Sequence, residues 1–172
     1  MSLTPAEIDQ IRSENMAGLA TLRQVPDLVD LLRPPLMDNG EPFPTVWRIT
    51  SQDDDSTHPI MAVGLRGEMG FLHWYDDPEI YQVPLGTEYR DGPEQDYFYA
   101  GVHHGPALGP GEEIPAAYVY EAAAQFVATG QRPTCIEWMD EADVPNRRPR
   151  PQRDSAVDEI WKAAAEAGGD SM

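Results

Sequence analysis

Four histidines and one cysteine are the side chains here best suited to metal or acid–base chemistry: His58, His73, the adjacent pair His103-His104, and Cys135. Neighbours on a strand point to opposite faces, so His103 and His104 cannot both ligate one ion without a bend. No closely spaced His/Cys/carboxylate pattern of the structural-zinc kind occurs. The expected metal and cofactor complement is none. Acids cluster at Asp53-Asp54-Asp55, at Asp76-Asp77, and at Glu137 with Asp140-Glu141. Paired carboxylates do general acid–base work only when burial or like-charge crowding moves one pKa. These clusters fall at turns, where solvent keeps them ionised, so they read as solvated faces. There is no Gly-x-Ser-x-Gly and no phosphate-cradling glycine loop. Cys135 falls mid-strand between Thr134 and Ile136, the place of a buried, inert thiol. No catalytic residue is assigned.

Aromatic side chains interleaved with acids are the other notable pattern, at Phe71-Leu72-His73-Trp74-Tyr75-Asp76-Asp77 and at Asp96-Tyr97-Phe98-Tyr99. Half of each strand must face a core, and those aromatics are packing. The other half are candidate anchors, because Trp and Tyr are favoured at interface hot spots. The candidate partner-binding residues are Trp74, Asp76, Asp77 and Glu79 at the far end of a hairpin, with Glu94 and Asp96 beside the next strand. Turns that flank a rigid sheet present charge at little ordering cost.

The charge balance bears on what such a surface would meet. Thirty acids oppose twelve bases over 172 residues, a formal net charge of −18. Residues 1–146 hold 25 acids and 7 bases, whereas 147–172 hold 5 of each, so the whole excess sits on the body. Such a body repels nucleic acid and anionic lipid and steers a basic partner toward itself. Solubility alone explains acidity equally well. The single cysteine excludes an intramolecular disulfide. Met1 to Glu7 has no basic segment followed by an apolar one. No apolar run approaches the roughly 18–20 residues of a membrane span. The expected location is cytoplasmic, with no membrane and no direct nucleic-acid partner.

The length suits one domain with a sizeable core. Thr4-Pro5-Ala6-Glu7 is a capping box with proline at the first helical position, predicting a helix to about Met16. Gly18 to Arg23 reads as a short edge strand and Pro26 to Leu32 as a short helix. From Thr45 the period becomes two: Val46, Arg48 and Thr50 alternate with Trp47 and Ile49. Ile60–Leu65 and Gly70–Tyr75 form a hairpin about Arg66-Gly67-Glu68-Met69. Tyr81–Pro84 and Asp96–Val102 follow as strands, then a Gly/Pro-rich loop over 105–111. A helix opens at Ile114-Pro115 and stops at Gly130, with Val119, Ala122, Ala123, Phe126 and Val127 on one face. A last strand ends on Trp138. The expected domain is 1–143; residues 144–172 read as a proline-rich basic linker and a C-terminal helix. The fold class is α+β, with helices on a mainly antiparallel sheet of five or six strands.

Three motifs carry a family likeness. Ile114, Pro115, Ala122, Ala123, Phe126, Thr129, Gly130, Arg132, Pro133, Ile136 and Trp138 match a segment of the form (I/V)P…A…A…EF…TG…RP…V.W. Met61 to Trp74 looks like a VG…G…G.L.Y hairpin, and Asp96-Tyr97-Phe98-Tyr99-Ala100-Gly101 like a strand ending in glycine. In this order, across residues 45–140, they resemble the immunity protein 1 family of bacterial polymorphic toxin systems. Glu137 before the tryptophan and the lengthened Gly105–Gly111 loop depart from the pattern. The resemblance implies an antitoxin that binds and blocks a cognate toxin domain and is not an enzyme. It further implies a toxin that is often a zinc-dependent nucleic-acid deaminase, including deaminases of cytidine in double-stranded DNA. Two other readings stand beside it: a small metal-dependent enzyme built around His73, His103 and His104, and an acidic nucleic-acid mimic that binds many basic proteins.

Overall fold

A computed structural model of the chain describes residues 2–52, 58–100 and 103–146. The expected C-terminal helix and most of its linker therefore lie outside the described residues.

Pairing is tightest in the middle of the chain. Strands β3 (Ile60–Arg66) and β4 (Met69–Tyr75) form an antiparallel hairpin running from Ile60↔Tyr75 to Arg66↔Met69. Only Gly67 and Glu68 lie outside the pairing, and Gly67 takes φ +71°, the glycine-first arrangement that matches strand twist. Strand β2 (Thr45–Thr50) adds antiparallel along all its length, from Thr45↔Leu65 to Thr50↔Ile60.

This register sorts side chains into two sets. Trp47, Val63 and Leu72 share one face with Ile49, Met61 and Trp74; Val46, Gly64 and Phe71 share the other with Arg48, Ala62 and His73. Helix α4 (Ala116–Thr129) covers the first face with Val119, Ala122, Ala123, Phe126 and Val127, the stripe read from the sequence. Burying each large apolar side chain contributes about 1.5–3 kcal/mol. Helices α1 (Pro5–Glu14), α2 (Leu19–Leu22) and α3 (Leu28–Leu32) complete that layer.

Several features differ from the sequence expectation. Among the described residues the sheet has nine strands and is mixed, not a mainly antiparallel sheet of five or six. Residues Met16–Gly18 form β1, parallel to β2, while Leu19–Leu22, expected as strand, is helical. The backbone turns there because Asn15 caps α1 in the left-handed region, at φ 50°. Ile114–Pro115 pairs with Met69–Gly70 as β8, so α4 starts one residue after Pro115.

The outer strands are β5 (Tyr81–Pro84), β6 (Gln95–Tyr99), β7 (His103–Leu108) and β9 (Trp138–Asp140). The order across the sheet is β7-β6-β2-β3-β4-β5-β9. The Gly/Pro-rich segment expected as loop is largely β7; Pro106 is tolerated because the strand is an edge. Cys135 sits in a bend before β9 rather than inside a strand, half-buried, its thiol pushed up by burial and then by Glu121.

Beside β2 the sheet forks. One edge of β2 pairs with β3, and the other is shared. Parallel β6 takes its first residue (Thr45↔Phe98) and parallel β1 its last three (Arg48 to Thr50). The hairpin β6–β7 peels off the sheet at that point and curls over the helix-free face, where Tyr97 packs edge-on against Phe71 at 4.9 Å.

Candidate partner-binding site

The fork leaves a cleft of about 450 Å³ on the helix-free face, lined by Arg48, His58, Ile60, Ala62, Tyr75, Pro78 and Tyr99. Its floor comes from the alternation of β2 and β3, and its walls from the ends of β4 and β6. Thr50 and Tyr75 both stand opposite Ile60 at one end of the sheet, whereas β6 meets β2 only at Thr45, so Tyr99 approaches the cleft from the start of β2. Tyr75 stacks on Tyr81 across β4–β5 (5.1 Å, 27°), and His73 lies between Phe71 (4.7 Å) and Tyr81 (4.8 Å). The result is a row of rings along the open face. Burial pushes the Tyr99 phenol up, an effect opposed by the Arg48 charge. Tyr99 is therefore a neutral hydrogen-bond donor at physiological pH. A second cavity of about 410 Å³ opens between α1 and β6, and Tyr99 lines both.

The six candidate residues from the sequence do not form one patch. Asp76, Asp77 and Glu79 lie together, exposed, in the turn after β4, with the Asp77 carboxylate accepting the Glu79 N–H at 2.8 Å. They adjoin the cleft through Tyr75 and Pro78. Trp74 is not a surface anchor. It is 2% exposed, edge-on to Phe126 at 4.9 Å, because the β4 alternation sends it to the helix side with Leu72. Its indole N–H finds no acceptor among the described residues. Glu94 and Asp96 lie at the opposite strand end, since β6 runs parallel to β4 and only begins there.

That opposite end holds a tie the sequence did not disclose. The Arg66 guanidinium donates to Glu113 through two nitrogens, at 2.6 and 2.8 Å, and the Tyr97 hydroxyl donates to the same carboxylate. Burial first, then the Glu113 bond, hold the Tyr97 phenol well above its ordinary value. The cluster clamps the curled β6–β7 hairpin to the β3–β4 turn.

Among the described residues no three His, Cys, Asp or Glu side chains converge as a metal site. His103 and His104 are exposed on β7, and His73 is covered by rings. Among the described residues no helix is long and apolar enough to cross a membrane.

Arg48, His58 and Tyr99 went unassigned by sequence reasoning. A signal exists for one of them: Arg48 is the lone charge in the alternating strand Val46-Trp47-Arg48-Ile49-Thr50. The family model described as "Immunity protein Imm1" matches residues 15–140, most of the described fold. No curated protein matches the chain. The chain belongs to the Imm1 immunity protein family.

Proposed function

Proceeding from that membership, we propose that this chain is a cytoplasmic antitoxin that binds one cognate toxin domain and blocks it by occlusion, with no chemistry of its own. The family match carries this reading. The finer proposal is that the toxin is basic and is a zinc-dependent nucleic-acid deaminase acting on cytidine in DNA. Its support is the net charge of −18, which suits a partner whose own surface grips a polyanion. A deaminase must also admit a base to a deep pocket, so covering the pocket mouth suffices to stop it. Protection at low toxin levels calls for roughly nanomolar binding or tighter, about −12 kcal/mol.

The test is co-expression with the toxin domain encoded beside this chain's gene. Restored growth, with suppression of the cytosine-to-uracil lesions seen in unprotected cells, is the expected result. Growth that stays arrested overturns the antitoxin reading. Restored growth with no lesions in unprotected cells overturns the deaminase part alone. The same acidity also favours the nucleic-acid mimic, which differs in capturing unrelated basic proteins as readily as this one toxin.

A further inference from the structure

The two faces of the central sheet are finished differently. One is sealed by helices; the other ends in an open cleft whose apolar floor (Ile60, Ala62) is walled by Tyr75 and Tyr99. A volume of about 450 Å³ is within the roughly 300–1,000 Å³ of ordinary ligand sites. Both walls are held before any partner arrives: Tyr75 is braced by Tyr81 at 5.1 Å, and Tyr99 packs against the core cluster of Val46, Phe71 and Tyr97. Prior order of this kind lowers the entropy cost of binding. In the turn that reaches the cleft through Pro78 stand three exposed acids, followed by Ile80, 63% exposed. A desolvated pocket ringed by polar groups is the anatomy of an interface hot spot.

We propose that this cleft receives one large apolar or aromatic side chain from a protruding loop of the toxin, with Lys or Arg flanking it in that loop paired to Asp76, Asp77 and Glu79. The inference rests on the antitoxin reading and adds the site to it. The apolar floor selects the inserted side chain, and the three carboxylates select its basic neighbours. The net charge of −18 brings the loop to this body, while the cleft fixes where it docks. Steering acts mainly on association, and the inserted side chain on dissociation.

The experiment measures binding of the purified toxin domain encoded beside this chain's gene, together with hydrogen exchange of the free and bound wild-type chain. Binding should slow exchange in 58–62 and 75–81 more than in α4. Tyr75→Ala and Tyr99→Ala should each weaken binding by about 30-fold or more through faster dissociation. Glu121→Gln, on the helix side, should change it less than twofold. Melting temperatures of the variants, with the wild-type exchange pattern as a variant-free measure, guard against a folding artefact. Undiminished binding by both tyrosine variants, or protection confined to other strands, overturns the cleft and leaves the antitoxin reading standing. Self-association of the chain that both variants abolish overturns it too, assigning the cleft to a second copy. Failure of the wild-type chain to bind the toxin at all overturns the antitoxin reading, and the cleft inference with it.

Discussion

The helix-covered face and the open face of the sheet are built by the same three strands in one register, yet they obey different rules. On the covered face all positions but Thr45 and Gly70 carry large apolar side chains that join one core with α4 and its neighbours, down to Trp74 against Phe126. On the open face charged, aromatic and small residues alternate, Arg48 beside Ala62 and Gly64 beneath Phe71. The first arrangement maximises buried area; the second gives up part of that area to keep shape and polarity available. If the cleft is the docking site proposed above, stability and recognition fall on opposite sides of one sheet, one residue apart in sequence.

Substitutions on the two sides should separate these roles. Phe126→Ala on the covered face removes a fully buried ring, and about 3–5 kcal/mol of stability should go with it by denaturant unfolding. Gly64→Ala acts on the open face but through packing. A Cβ there would lie 2.0 Å from the Phe71 ring, forcing the ring off its position at a cost of about 1–3 kcal/mol. An unchanged unfolding midpoint would show that Phe71 moves freely and that the open face is loosely held.

Tyr97→Phe should cost about 1–2 kcal/mol by removing the bond to Glu113, and it should also change the response to alkali. Because the folded-state pKa of Tyr97 lies above its unfolded value, its contribution is complete below about pH 10 and is lost as pH rises beyond. Tyr99 and Tyr120 are shifted the same way, so the variant should show a shallower alkaline loss, not none. Identical alkaline curves would remove Tyr97 from that account. The smallest effect on stability belongs to the residues assigned to recognition. Joint reversal of Asp76, Asp77 and Glu79 to lysine should leave the melting free energy within about 0.5 kcal/mol while toxin binding falls. A large loss of stability would place those acids among the structural residues.

Local signals were read accurately where one interaction dominated. The capping box at Thr4 and Glu7 is present, with Thr4 N–H donating to the Glu7 carboxylate at 2.7 Å. The central hairpin and the apolar face of α4 also stand where periodicity put them. The misses came from pairing at a distance. β1 and β8 are two or three residues long and become strands only because β2 and β4 offer them an edge. The alternation of β4 is legible in the sequence, but which of its sides the helices cover is not, so the burial of Trp74 cannot be read locally. Asp76 and Glu94 lie apart for a related reason: nothing local states that β6 runs parallel to β4. The cleft itself joins residues from four strands and their turns, so no short motif encodes it.

The shared edge of β2 resembles a zipper with two sliders. Between the rung β6 holds at Thr45 and those β1 holds from Arg48 onward, Val46 and Trp47 pair with neither strand, and the approach of β1 commits the Arg48 N–H to Asn15 at 2.9 Å. The width of the gap between them is consequently set by how far β1 closes along the rail, and β1 is positioned by α1 ahead of it. The N-terminal helix, which also lines the second cavity with Tyr99, thereby sets one boundary of the gap.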